Sequence, residues 1–387
     1  MTMDLAAIAN KDRRFVIGLT SDASCVGVNA ALVRIKGSGR GLAIKLMRSD
    51  AFPYPPSIRG RLMAPRLDGQ EVCLLNFELG KRFAEAAVEM KHLAEEELFE
   101  VDFVASHGHT ISHIPPRESR AFGTLQIGEP AVIAEVTGLP IVSDFRQRDM
   151  VVGGQGAPLL AYTDWVLFAR KDRTVACLHL DGIATITVVP PELENVMAFD
   201  IGPCSIAVNG AVQLLSKGAQ DADKDGAIAA RGVVIDEFLD YLLDHPYFAL
   251  EPPKSTGREE FGPDVYLRDA LASRKSCGFE DLVATVTTAL GFSIVRAYHT
   301  FIKPRHEIAR LIASGPGTLN KVLWKHLIKG FPEGIVFTSD QYGIPSDARE
   351  AISCAILGNE TICGAPANLP QVTGANRPVI LGRITPN

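Results

Sequence analysis

The stretch TVACLHLDGIATITVV, Thr174–Val189, decides the fold of this protein. Two runs rich in β-branched and apolar residues, Thr174–Leu180 and Ile183–Val189, flank the dipeptide Asp181-Gly182. An Asp-Gly pair between two such runs predicts a β-hairpin, because this dipeptide readily adopts the backbone of a two-residue turn. A third strand is predicted over Val196–Phe199, and a helix follows the sequence DIGPCS after it.

The beginning of the chain has the same pattern. Strands are predicted over Phe15–Thr20 and Val28–Ile35, separated by the polar segment SDASCVG, and a third strand near Leu42–Met47 completes the meander. This repetition predicts an α/β fold with two related lobes around a cleft. We place the boundary near Arg173, with residues 1–173 in an N-terminal lobe and 174–387 in a C-terminal lobe.

Helical and strand signals complete each lobe. A strand over Asp102–Ser106 is predicted to deliver SHGHT at its end, and a strand over Glu307–Ala313 leads through SGPG to a helix that begins near Leu319. An amphipathic helix that packs on the first sheet is predicted from apolar residues at helical spacing. These residues are Leu79, Phe83, Ala87, Met90 and Leu93.

Composition excludes several classes of protein. With 47% hydrophobic and 22% charged residues, the 387-residue chain has the composition of a globular protein and enough length for two cores. A net charge of −6 without a dense basic run argues against nucleic-acid binding. No stretch is long and apolar enough for a membrane span, and the seven cysteines form no metal-binding pair, so we expect a reduced, cytoplasmic protein.

The segment DFRQRDMVVGGQGAPL, Asp144–Leu159, places Asp149 beside a Gly-Gly-Gln-Gly turn. Glycine lets a backbone approach a ligand closely, because it has no Cβ. An acid in this place serves as a catalytic base, as a helix cap or as one member of a buried ion pair. The residues alone leave these alternatives open.

Several long motifs carry a resemblance to a known family. The stretches TLQIGEPAVIAEVTGLPIVSDFRQRDMVVGGQGAPL, DKDGAIAARG, PYFALEPPKSTGRE and VTGANRPVILG resemble, in the same order, those of the anhydro-N-acetylmuramic acid kinase family, which includes levoglucosan kinase. The resemblance implies a two-lobed, ribonuclease H-like fold of the sugar kinase, Hsp70 and actin type, and a homodimer. It also implies phosphorylation of the 6-oxygen of a 1,6-anhydro sugar with ATP and Mg²⁺, during which a water opens the anhydro bridge in the muramic acid enzymes.

Asp149 matches the family's aspartate motif, and the resemblance implies that it is the general base acting on the attacking water or the sugar hydroxyl. That role requires an ionised carboxylate within hydrogen-bond reach of the nucleophile. Arg146 and Arg148 are close enough in sequence to favour the charged form. The alternative is an Arg–Asp pair that only ties down the turn.

Further residues of these motifs are candidates for binding the sugar. SHGHT, Ser106–Thr110, is similar to the family's SHGQT, with His109 in place of glutamine. For His109 the alternative is a hydrogen bond to a backbone carbonyl, and for Glu129 it is a place at a helix start, where acids are favoured. Glu350 has the alternative of a solvated helix acid. The candidate substrate-binding residues are His107, His109, Glu129, Arg146, Gln155, Lys254, Arg258 and Glu350.

The motifs on the nucleotide side depart from the family pattern. The family's first phosphate loop resembles MSGTSxDGxD, whereas this chain has TSDASCVGVN, with Asp22, Ala23 and Val26 among the changes. Asp181 replaces a glycine of the second loop, and Cys204 replaces a glycine of the family's DTGPGN. The resemblance implies cofactor-binding roles for the residues retained, which are Ser21, Ser24, Gly27, Gly182, Asp200, Gly202, Gly315 and Gly317.

These changes predict weak or absent binding of ATP and Mg²⁺, a degenerate nucleotide site. Asp22 and Asp181 place carboxylates where phosphate charges should lie, and each pair of like charges at ~4 Å costs about 1 kcal/mol in water and more in a less polar cleft. Three hypotheses follow. The chain is an anhydrosugar kinase, an ATP-independent enzyme that uses Asp149 on another small polar substrate, or a catalytically inactive pseudokinase.

Overall fold

A computed structural model describes residues 4–21, 25–64, 67–116 and 121–387. The chain forms two compact units, of which the first comprises Met1–Leu167 with Asp347–Asn387 and the second comprises Phe168–Ser346. The change of unit after Leu167 lies near the boundary expected at Arg173. The C-terminal segment from Asp347 onward differs from the expected division, because it belongs to the first unit and not to the second.

Each unit contains both strands and helices. The strands are β1 (Arg13–Ser21), β2 (Gly27–Lys36), β3 (Ala43–Pro53), β4 (Phe103–Ile114), β5 (Gly123–Ile127), β6 (Ile141–Ser143), β7 (Val175–Leu180), β8 (Ile183–Val189), β9 (Met197–Pro203), β10 (Arg310–Ser314), β11 (Val336–Thr338) and β12 (Arg383–Thr385). The helices are α1 (Leu5–Asn10), α2 (Pro56–Leu62), α3 (Gly69–Glu96), α4 (Pro130–Thr137), α5 (Phe145–Val151), α6 (Leu160–Phe168), α7 (Ser205–Ser216), α8 (Asp236–Leu243), α9 (Arg258–Phe261), α10 (Pro263–Tyr266), α11 (Arg268–Ala272), α12 (Phe279–Ala297), α13 (Lys321–Gly330), α14 (Arg349–Ile362) and α15 (Pro370–Thr373). Within the described ranges, no helix combines the length and the apolar character that a membrane crossing requires.

The first unit contains a mixed sheet with the order β12-β6-β4-β1-β2-β3, and β5 pairs with β4. β1, β2 and β3 form an antiparallel meander, whereas β4 runs parallel to β1 and β6 runs parallel to β4. The apolar face of α3 packs against this sheet through Leu79, Phe83 and Met90, all fully buried. The amphipathic helix predicted from the sequence is therefore confirmed, over a longer range.

The second unit repeats this arrangement in its own sheet, with the order β11-β10-β7-β8-β9. β7, β8 and β9 are an antiparallel meander, and β10 and β11 are parallel to β7 and to each other. Both predicted hairpins are thus confirmed. The shared order, an antiparallel meander continued by parallel strands beside its first strand, is that of the ribonuclease H-like domains in sugar kinases, Hsp70 and actin.

The C-terminal segment packs closely on the first sheet through α14. A Cβ on Gly18 of β1 would lie 1.8 Å from the Ala351 carbonyl oxygen of α14, and a Cβ on Gly358 of α14 would lie 2.6 Å from Ala105 Cβ of β4. Two glycines therefore let the helix lie directly on the strands. Sequence periodicity does not report such a contact, since it depends on residues far apart in the chain.

A buried ion pair fastens the same helix to α6. Arg349 donates a hydrogen bond to Asp164, and each side chain is 1% exposed. A buried charge is costly unless it is paired, so each residue depends on the other.

We expect Asp164→Asn to lower the free energy of unfolding by about 3–5 kcal/mol, because it leaves the Arg349 guanidinium buried without its counter-charge. Urea denaturation measures this change as a lower midpoint at an unchanged slope. The matched control is Asp240→Asn on the exposed surface of α8. Equal midpoints for the two variants would contradict the assignment.

Candidate functional site

Asp149 lies on α5, directly after β6, and its carboxylate is fully buried. The Gly156 amide donates to Oδ2 at 2.8 Å, while Asn368 Nδ2 and Thr373 Oγ1 donate to Oδ1 at 2.8 and 2.7 Å. These three donors are neutral. The carboxylate thus joins its own turn to the segment around α15.

Backbone contacts strengthen the same connection. The Gly154 amide donates to the Asp149 carbonyl, and the Gln155 amide donates to the Thr373 carbonyl at 2.8 Å. A Cβ on Gly154 would lie 2.2 Å from Asp149 Oδ2, so a glycine is required here by the carboxylate itself. These contacts hold the turn in place, as in the alternative given for Asp149. The partners of the carboxylate are neutral donors, however, and not an arginine.

Sequence reasoning missed the partners of Asp149. Asn368 and Thr373 lie more than 200 positions away, and only Thr373 belongs to a motif that carries the resemblance, VTGANRPVILG. The signal that could have found Thr373 is chemical, since a buried carboxylate beside a glycine turn requires donors, and a polar residue of a second motif supplies one of them.

His107, Arg146 and Glu350 are near one another in the first unit. Arg146 Nε donates to His107 Nε2 at 3.4 Å, and the His107 ring stacks on Phe145. Burial first, and then the charge of Arg146, lower the pKa of His107 to about 3, against the smaller opposing effect of Glu350. His107 is therefore neutral near pH 7, where its ring can take part in hydrogen bonds but carries no charge.

Two sugar-side candidates have other contacts. His109 Nδ1 lies 3.1 Å from Ser21 Oγ and its Nε2 lies 3.8 Å from Cys25 Sγ, so it binds the end of the first hairpin. Glu129 is the N-cap of α4, accepting from the Ala131 amide, and its other oxygen accepts from Asn76 Nδ2 at 2.8 Å. The helix-start alternative for Glu129 agrees with this geometry.

Asp200 lies on β9 of the second unit and is 6% exposed. Thr185 Oγ1 donates to its Oδ1 at 2.7 Å, and the Thr256 amide donates to its Oδ2 at 3.0 Å. The motif PPKSTGRE therefore supplies a backbone donor to this aspartate. Of the two cations in that motif, Arg258 is exposed and Lys254 is buried.

The turn between β7 and β8 closes on the start of α7. The Cys204 amide donates to the Gly182 carbonyl at 2.9 Å, and the Ser205 amide donates to the Asp181 carbonyl at 2.8 Å. Burial, and then the Asp181 carboxylate, raise the pKa of the Cys204 thiol to about 12. A phosphate loop presents its backbone amides to an anion. Here the amides of Cys204 and Ser205 already donate to the turn, and the Asp181 carboxylate adds a negative charge beside them.

Several retained glycines are required by packing within their own unit. A Cβ on Gly27 would lie 2.2 Å from the Phe52 carbonyl oxygen, and one on Gly202 would lie 2.6 Å from the Phe248 ring. Added Cβ atoms on Gly315 and Gly317 would lie within 3 Å of Leu180. Asp22, Ala23 and Ser24, which belong to the segment that resembles the family's first phosphate loop, lie outside the described residues.

Comparison with known proteins decides the family. The profile described as Anhydro-N-acetylmuramic acid kinase matches residues 14–387. The chain belongs to this kinase family. An anhydro-N-acetylmuramic acid kinase of Caldanaerobacter subterraneus subsp. tengcongensis is 41% identical, over 98% of this chain and 99% of the relative. One from Clostridioides difficile is 38% identical, over 96% of this chain and 98% of the relative.

Solved structures align with this anhydro-N-acetylmuramic acid kinase family member only at a distance. Component A of (R)-2-hydroxyglutaryl-CoA dehydratase from Acidaminococcus fermentans has a TM-score of 0.44 and 9% identity, with 90% of this chain and 99% of that chain covered. The fold assignment therefore depends on the strand order of the two sheets and on family membership.

We expect Asp149→Asn to lower the free energy of unfolding by about 1–3 kcal/mol, because an amide NH₂ replaces an acceptor and leaves a buried donor unpaired. Thermal unfolding followed by circular dichroism measures the loss. Asp240→Asn again serves as the exposed control. An unchanged melting temperature would show that Asp149 does not hold the turn.

Proposed function

We propose that this chain phosphorylates the 6-oxygen of a 1,6-anhydro sugar. The match to the anhydro-N-acetylmuramic acid kinase family over residues 14–387 carries the proposal. The compact, polar substrate implied by that chemistry agrees with hydrogen-bonding side chains such as His107 and Arg146 in the first unit. Opening of the anhydro bridge by water in the same reaction, and a homodimeric assembly, belong to this proposal.

The proposal needs a general base, and Asp149 is the candidate that the resemblance indicates. A base must reach the nucleophile and accept its proton. The Asp149 carboxylate accepts hydrogen bonds from three neutral donors, which fix its orientation beside the GGQGAP turn. In our proposal Asp149 takes the proton from the attacking water or sugar hydroxyl, so that the oxygen reacts as it loses that proton.

Substitution of Asp149 tests the proposed base. We expect Asp149→Asn to lower kcat by about 10²–10⁴-fold at temperatures where the variant is folded, because an amide cannot accept the proton. ADP release with Mg-ATP and anhydro-N-acetylmuramic acid, or levoglucosan, measures the rates, and Asp240→Asn on the exposed surface of α8 is the control. Turnover retained by Asp149→Asn would exclude Asp149 as the base.

For the nucleotide, we propose weak binding of Mg-ATP. The amides of Cys204 and Ser205 are bonded to the turn, and Asp181 adds a carboxylate beside them. Phosphate oxygens at this place would compete with existing hydrogen bonds and meet a like charge. This turn thus fits a phosphate group poorly.

We expect Asp181→Asn to tighten Mg-ATP binding about tenfold, or about 1.4 kcal/mol, since it removes a negative charge and keeps the size of the side chain. Isothermal titration calorimetry measures the change. Asp240→Asn, an exposed aspartate of the same unit, should leave the affinity unchanged. Micromolar binding by the unsubstituted protein would contradict the proposed repulsion.

A further inference from the structure

A cavity of about 380 Å³ lies within the second unit, between α12, α13 and the segment 229–234. Its wall consists of alanine and valine side chains together with Lys321, Lys325, His326 and Thr288, and no carboxylate is among its described lining residues. A volume of this size accommodates a small organic ligand. Part of the wall comes from the end of the motif DKDGAIAARG, which the proposed function leaves without a role.

Two glycines bring the walls of the cavity together. A Cβ on Gly232 would lie 2.1 Å from the Glu280 carbonyl oxygen at the start of α12, and a Cβ on Gly291 would lie 2.6 Å from His326 Cβ on α13. The Phe292 ring also packs on the His326 ring, with the centroids 5.6 Å apart. The shape of the cavity is therefore fixed by close contacts between the segments that form it.

Lys321 and Lys325 lie one turn apart on α13, and both are exposed. Neither ammonium forms an ion pair or a hydrogen bond with another residue in the described ranges. Like charges at positions i and i+4 destabilise a helix, and a cation in the first turn opposes the helix dipole. An anion held by both side chains removes these unfavourable effects.

The carboxylates near the cavity have other partners. Glu280 accepts from Arg231 Nε at 2.6 Å, and Asp281 Oδ1 accepts from the Val233 amide at 2.7 Å. Both acids belong to the first turn of α12 and are bonded to the segment that covers the cavity. They therefore do not neutralise the two lysines of the lining.

Thr288 supplies a hydroxyl on the buried side of the cavity, since this residue is only 4% exposed. The neighbouring hydroxyls of Thr285 and Thr287 donate to the carbonyls of Asp281 and Val283, at 2.7 and 2.9 Å. The Thr288 hydroxyl, in contrast, has no hydrogen-bond partner within the part of the chain that the structure describes. Because buried polar groups are normally paired, this hydroxyl indicates a ligand that binds it.

The lining matches a dianion that carries an organic part. Two ammonium groups balance the charge of a phosphate monoester, and its oxygens accept from these groups and from the Thr288 hydroxyl. A carboxylate has a single charge and is recognised best by the forked guanidinium of arginine, which is not among the described lining residues. Burial, and then the charge of Lys329, lower the pKa of His326 below 6.5, so its ring is neutral near pH 7 and adds no further charge.

We propose that this cavity binds a small organic phosphate monoester, with the phosphate group at Lys321 and Lys325 and the organic part against the apolar wall. None of the described lining residues belongs to the β7–β8 turn, to the start of α7 or to SGPG, so the site is separate from these nucleotide motifs. The inference does not depend on the proposed function, since binding is measured without ATP or sugar.

Isothermal titration calorimetry of the full chain with phenyl phosphate tests the site. We expect a Kd of about 0.1–1 mM, as is usual for a ligand of this size. The double variant Lys321→Met, Lys325→Met should weaken binding at least about tenfold, because it removes both charges, and Thr288→Val should weaken it about threefold. The matched control is Lys329→Met, an exposed lysine of the same helix outside the lining, which should leave the Kd unchanged.

Two related ligands test the chemical class. Benzoate should bind at least about tenfold more weakly than phenyl phosphate, because it carries one charge where the phosphate carries two. Phenol, which has no charge at pH 7, should give no measurable heat of binding. Added sodium chloride should weaken the binding of phenyl phosphate, since salt screens exposed charges.

Four outcomes would overturn the inference. Absence of binding, or equal affinity of the double variant and Lys329→Met, removes the site. Equal affinity for benzoate and phenyl phosphate excludes the phosphate class, and displacement of phenyl phosphate by equimolar Mg-ATP assigns the cavity to the nucleotide. If the double variant does not fold, either single lysine substitution gives the same comparison with Lys329→Met. Failure of the proposed kinase activity leaves all of these titrations unchanged.

Discussion

A charged group removed from water must find its partners inside the protein, and this constraint organises both units. Asp149 collects an amide, a side-chain amide and a hydroxyl, and so joins two glycine-bearing segments. Arg349 and Asp164 satisfy each other and join α14 to α6. In the second unit, Lys254 and Asp200 lie in one network of rings, carbonyls and amides. Each network connects segments that are distant in sequence, which is why the motifs occur scattered along the chain.

The same constraint acts on two aspartates. The Asp149 carboxylate is fully buried and accepts from a backbone amide, a side-chain amide and a hydroxyl, so residues of two segments fix its orientation. The Asp200 carboxylate, on β9, accepts from the Thr185 hydroxyl and the Thr256 amide. Family membership identifies the kinase chemistry, and the proposed role of Asp149 as its base depends on this fixed orientation.

Much of the fold was predictable from local patterns. Strands β1, β2, β7 and β8 were expected within a few residues of their observed ends, because apolar runs around a turn such as Asp181-Gly182 define a hairpin without reference to the rest of the chain. β3 and β4 proved longer than expected, since their outer ends owe their pairing to β2 and β5, which local sequence does not report. The return of Asp347–Asn387 to the first unit was not predictable, because it depends on contacts between Gly18 and α14.

The amino-acid sequence by itself determined the class of fold, the duplicated meander and the family, since strand periodicity, turn chemistry and long motifs are local properties. It also placed Asp149, Asp200 and Lys254 in the motifs that carry the resemblance. Tertiary structure alone decided what each of them contacts. Which donors surround a carboxylate, and which rings and carbonyls surround a buried lysine, depends on segments that are distant in sequence, and the neighbouring residues do not determine them.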